Sequence, residues 1–122
     1  MRGKDITAGN HVILNNYEYR YAAELPLTAV MKELGAKVEW QNNATAEITF
    51  GGKEYALNTT ACTLIEVESG RGFIYPIGGG YSFREVINNE FVVDGATMTS
   101  VVVNMMGAKI SIDYDKKIVK ID

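Results

Sequence analysis

The chain has 122 residues, of which 47% are hydrophobic and 22% charged, and its formal net charge is −3. Such a length makes one domain that can bury about two-thirds of its unfolded surface without covalent staples. The Lys and Arg residues are outnumbered by Asp and Glu and nowhere clustered, which excludes a nucleic-acid or anionic-membrane partner, and no apolar run is long enough to span a bilayer as a helix.

Met1-Arg2-Gly3-Lys4-Asp5 has no apolar stretch behind it and is no secretory signal. It fits a cytosolic protein, or a piece from which a signal or a neighbouring domain has been removed. His11-Val12-Ile13-Leu14 predicts a strand that enters a turn at Asn15-Asn16. Tyr17-Glu18-Tyr19-Arg20-Tyr21 alternates strictly, predicting one strand with three tyrosines on one face and Glu18 and Arg20 on the other. Pro26 suits the first turn of a helix, where its missing N–H has no partner to lose. Leu27, Val30, Met31 and Leu34 form its apolar stripe, and Gly35 its C-cap.

Residues 37–40 read as a strand that turns at Gln41-Asn42-Asn43. Residues 46–50 pair back, and Gly51-Gly52 makes a tight hairpin into 53–57. Residues 62–67 form a further strand, in which the lone Cys62 reads as a small buried hydrophobe. After a turn over 68–72, Phe73-Ile74-Tyr75 is a short strand stopped by Pro76. Gly78-Gly79-Gly80 is a loop, 81–87 fits either strand or helix, Asn88-Asn89 turns the chain, and Phe91-Val92-Val93 is extended. Asp94-Gly95 precedes a second helix over roughly 98–106, capped by Gly107, and strands at 109–112 and 117–121 close the chain as a hairpin. Two short helices among many strands joined by short turns predict an α+β fold with a mainly antiparallel sheet, because connections this short cannot make parallel crossovers. The whole of 1–122 is expected to share one core.

One pattern occurs twice. Leu25-Pro26-Leu27 with Glu33-Leu34-Gly35-Ala36-Lys37-Val38-Glu39-Trp40 is echoed by Val102-Val103-Asn104-Met105-Met106-Gly107-Ala108-Lys109-Ile110-Ser111. Both run a short helix into Gly-Ala-Lys and then a strand, suggesting an internal repeat with units at about 25–58 and 96–122. These residues resemble the copper amine oxidase N-terminal-like domain, the stalk domain of bacterial cell-surface proteins, over about 25–121. The chain departs from that family's pattern in several places. Thr28 and Ser100 stand near its usual Arg, the second copy lacks the Pro, and Gln41 replaces the Asp that follows the Trp. Residues 71–90 are also richer in Gly and aromatics than the family's middle hairpin. The resemblance implies a non-catalytic module, since the oxidase's copper and quinone belong to other domains. It also implies an extracellular or cell-surface location beside hydrolases or repeats, with a role in wall attachment or spacing.

No reactive constellation assembles. His11 is alone, so any nucleophile system would have to use it. With a single Cys62 besides, neither an internal disulfide nor a Cys/His metal cluster can form, and no metal or cofactor is expected. Asp113-Tyr114-Asp115 sits in a predicted turn, where Asp serves backbone hydrogen bonds. Glu66 and Glu68 would share one solvated strand face, with no sugar cleft marked beside them. No Lys follows Gly78-Gly79-Gly80, which is therefore no phosphate loop. Asn43-Ala44-Thr45 and Asn58-Thr59-Thr60 are glycosylation sequons in form alone. Among the aromatics, Tyr17, Tyr19 and Tyr21 are assigned to the core side of a strand. Phe73, Tyr75, Tyr81 and Phe83, with Arg71 and Arg84 as polar partners, are the candidate binding residues around the glycine loop. The expected function is a non-enzymatic surface module for binding or spacing, engaging cell-wall polysaccharide or a surface protein, with homo-oligomerisation left open. The alternative is a small-molecule-binding or inhibitory domain that uses the loop 71–84.

Overall fold

The computed structural model describes residues 4–7, 12–17, 20–74 and 84–122, with the backbone alone at 4, 15–17 and 20–22. Among these residues the fold is α+β, with three antiparallel sheets and two short helices.

Strand β1 (Lys4–Asp5) joins a sheet formed at the other end of the chain. Strands β2 (Ile13–Tyr17) and β3 (Arg20–Pro26) make a hairpin in which Leu14 lies opposite Ala23, both buried. Burial of that pair fixes the register, because a slip by one residue would turn both outward. Two expectations fail here. Asn15 and Asn16 continue the strand, opposite Ala22 and Tyr21, because the ladder outweighs the weak turn preference of asparagine. Tyr17 and Tyr21 lie on different strands, so no single strand carries a tyrosine strip; Tyr19 lies outside the described residues.

Helix α1 (Leu27–Glu33) buries Leu27, Thr28, Val30 and Met31, close to the predicted stripe. Pro26 stands one place earlier than expected, as the last residue of β3 and the N-cap. The helix ends in paired closing bonds, Ala36 N–H to Met31 O at 2.9 Å and Gly35 N–H to Lys32 O at 3.0 Å. This Schellman closure needs a positive φ at its turning residue, and Gly35 has φ 101°.

The five-stranded sheet runs in sequence order through β4 (Lys37–Trp40), β5 (Thr45–Phe50), β6 (Lys53–Asn58), β7 (Thr63–Glu66) and β8 (Gly72–Ile74). Ala46, Ile48, Tyr55, Leu57, Leu64 and Ile74 point into the core while Glu47, Thr49, Glu54 and Ala56 face water. Cys62 corrects its assignment. It is a half-buried turn residue with φ 56°, placed there because the Asn58 side chain accepts the Ala61 N–H and bends the chain before β7 begins.

The described part of 81–87 is a strand, β9 (Arg84–Ile87). It pairs with β10 (Glu90–Val93) to complete a sheet of order β2-β3-β10-β9. Helix α2 (Gly95–Ser100) starts earlier than predicted because Asp94 is its N-cap, its Oδ1 accepting the Thr97 N–H at 2.6 Å. The helix then widens into a π turn over Val101–Met105. Its closing bonds, Ala108 N–H to Val102 O and Gly107 N–H to Val103 O, each span one residue more than their counterparts after α1. Gly107 has φ 64°. Strands β11 (Ile110–Asp113) and β12 (Ile118–Ile121) follow, and β12 also pairs with β1, Lys4 opposite Ile121.

Residues from all three sheets and both helices meet in one core. Leu25, Leu27, Met31, Ile48, Leu57, Leu64, Phe91 and Met98 are among its fully buried members.

Candidate functional site

The residues singled out around the glycine loop divide. Tyr75, Tyr81 and Phe83 lie outside the described residues. Phe73 is half-buried, its ring meeting that of buried Tyr55 edge-on with centroids 5.9 Å apart. The Arg71 guanidinium lies 4.9 Å over the Phe73 ring. Arg84 donates from Nη2 to Thr97 Oγ1 at 3.1 Å and is thereby tied to α2. The described members of the set thus engage the fold itself.

Glu66 is not on a solvated face. It is buried, accepts from the Ser69 hydroxyl, and is paired with Lys53 Nζ at 3.2 Å, while Glu68 lies beyond the strand in an exposed turn. The Ser69 hydroxyl, with Lys53 next, holds the Glu66 carboxyl below the usual glutamate range, and the hydrogen bond to Glu66 raises the Lys53 ammonium above its own. Folding therefore releases a proton from Glu66. The stability it contributes is complete above the ordinary glutamate value and is lost as pH falls through the lower folded one. Glu66→Gln is expected to flatten the acid limb of thermal midpoint against pH between about pH 2 and 7. An acid limb as steep as that of the parent chain would refute this role.

The Asp113 carboxylate accepts the N–H groups of Asp115 and Lys116, the backbone role that the sequence suggested. No group of three or more His, Cys, Asp or Glu placed to hold a metal ion exists among the described residues.

A different region forms an open concavity among the described residues. Trp40, Gln41, Asn42, Asn43, Val86, Asn88 and Asn89 line an open groove of about 910 Å³, within the roughly 300–1,000 Å³ of small-ligand clefts. One wall is the end of β4 and the turn behind it, and the other is β9 and the β9–β10 turn. Both turns are held rigidly. Asn42 Oδ1 accepts the N–H groups of Ala44 at 2.7 Å and Thr45 at 2.9 Å. Asn88 and Asn89 have φ 52° and 63°, the pair of left-handed residues of a type I′ hairpin.

Among the described residues, no hydrogen bond occupies the side chains of Asn43, Asn88 or Asn89, which are exposed. Exposed Gln41 donates from Nε2 to Glu47 Oε2 at 3.1 Å, and its side-chain oxygen accepts no hydrogen bond among the described residues. Trp40 is half-buried, and its indole N–H is buried without a hydrogen-bond partner among the described residues, a situation native structures rarely leave unanswered. Sequence reasoning read both amide turns for their backbone, and Asn43 besides as a glycosylation sequon in form alone. The available signal was that two turns far apart in the chain are both built of side-chain amides, one of them directly after the single tryptophan.

No helix among the described residues is long and apolar enough to cross a membrane. Compared with family models, with curated proteins and with solved structures, the chain matches none.

Proposed function

We propose that this chain is a non-catalytic binding module of the cell-surface stalk type that its sequence resembles, and that it engages its partner through the Trp40 groove. The observation that carries this reading is the groove itself. A rigid pair of turns presents a half-buried tryptophan and several uncommitted amides to one concave space. Groups held without internal partners on a stiff frame can bind without a large ordering cost. The sequence resemblance supplies the setting, a bacterial surface with wall polysaccharide or a surface protein as partner. The alternative, a small-molecule or inhibitory domain reading through 71–84, has less support, since Phe73 packs on Tyr55 and Arg84 bonds to Thr97.

Co-sedimentation with purified Gram-positive cell walls tests the reading. The domain is expected to pellet saturably with the walls and to be released by soluble wall fragments. A domain that stays in the supernatant at every wall concentration would remove the wall-binding function.

A further inference from the structure

We propose that the Trp40 groove is a site for an uncharged oligosaccharide, with the Trp40 ring as the stacking face and Asn43, Asn88 and Asn89 reading hydroxyl groups. The proposal rests on the binding-module reading and adds the chemistry of the ligand.

Charge is the first argument. None of the seven lining residues is ionisable, in a chain that is 22% charged. An ionic ligand would be met by Arg, Lys or a carboxylate inside its site, because such groups give the strong charge-assisted bonds. The Glu47 carboxylate is bonded to Gln41 of the lining. It would repel a phosphate, sulfate or uronate polymer.

Donor and acceptor balance is the second. Each amide offers one acceptor oxygen and two donor hydrogens. A sugar hydroxyl both donates and accepts, so a row of free amides satisfies a row of hydroxyls whichever way each proton points. The negative face of an indole attracts the weakly positive C–H groups on the flat side of a pyranose ring.

Backbone geometry separates this ligand from an extended peptide. Strand addition needs an unbroken edge of N–H and C=O groups. The groove takes only the last residue of β4 and Val86 of β9, and its remaining lining belongs to turns. β4 and β9 are outer strands of their sheets, and each gives the lining only one residue.

Trp40 is the only tryptophan, so its indole resonance in a ¹⁵N–¹H spectrum is unambiguous. Titration with hexasaccharides of glucose and of N-acetylglucosamine is expected to move that resonance and the side-chain amides of Asn43, Asn88 and Asn89 saturably. Polygalacturonate and an uncharged peptide should leave them in place. Asn89→Gly keeps the turn, since a type I′ hairpin favours glycine at that position. It should weaken the better hexasaccharide roughly five- to tenfold, the loss of one neutral hydrogen bond. The assignment is overturned if neither hexasaccharide moves the indole, if polygalacturonate or the peptide moves it as far, or if Asn89→Gly binds like the parent chain. Walls that pellet the domain while both hexasaccharides leave Trp40 unmoved would overturn the saccharide assignment and keep the module. Saturation of Trp40 with no wall binding would do the reverse.

Discussion

Phe91→Ala is expected to lower the unfolding free energy by about 3–5 kcal/mol, as truncation of a buried aromatic does. Phe91 is fully buried in β10, the strand that joins β3 to β9 within one sheet and also lies against α1. Removing the ring leaves a void that three elements would have to close at once, and strands held by ladders on both sides cannot shift into it. A domain of this size has about 5–15 kcal/mol in total, so the variant should lose about a fifth or more of its stability, read as a lower urea midpoint at nearly unchanged slope. Val67→Ala, at an exposed position, should change the midpoint little. A loss below about 1 kcal/mol for Phe91→Ala would mean that β10 is not the centre of the core.

Thr28→Val should cost about 1–3 kcal/mol, the penalty of an orphaned buried polar group, although it deletes only a hydroxyl and keeps the volume. Thr28 is completely buried in α1, where its Oγ1 accepts the N–H of Phe91 at 3.0 Å and donates to the Glu90 carboxylate. β10 pairs with β3 and with β9, yet this one N–H is satisfied from the helix, so its loss leaves a donor with no water to turn to. Lys32 supports the same carboxylate at 3.3 Å from a half-exposed position, and an ion pair so placed is worth little by itself. Thr28→Ser keeps the hydroxyl and should recover most of the loss in urea unfolding. If valine proves harmless while serine is costly, the methyl group and not the hydrogen bond holds α1 to the sheet.

Local signals were legible in the sequence. The Gly51-Gly52 and Asn88-Asn89 turns, the stripe of α1, the positive φ at Gly35 and Gly107, and the antiparallel α+β class all follow from chemistry within a few residues. What escaped depends on partners distant in the chain. Nothing near Thr28 announces Glu90 and Phe91, 62 and 63 positions away. Nothing near Glu66 shows that Lys53 and Ser69 will close over it. The division of the strands into three sheets is likewise a tertiary choice, since each hairpin alone would fit one continuous sheet. The π turn escaped because 3.6-residue periodicity looks the same when one extra residue is absorbed on the exposed side, where Val103 and Asn104 sit. The groove needed two turns more than forty residues apart to meet.

The pairing of Lys4 with Ile121 has a mechanical consequence. Ladder partners lie about 5 Å apart, so a chain arriving before Lys4 and a chain departing after Ile121 would share one corner of the molecule. A pull between them would peel β1 from β12 rung by rung, as a zipper opens, and would not load all the rungs together as shear does. Two neighbours joined through this domain would stand nearly as close as if it were missing. Mounted in that way it is a pendant and not a strut, with the groove carried at the side of whatever line it hangs from.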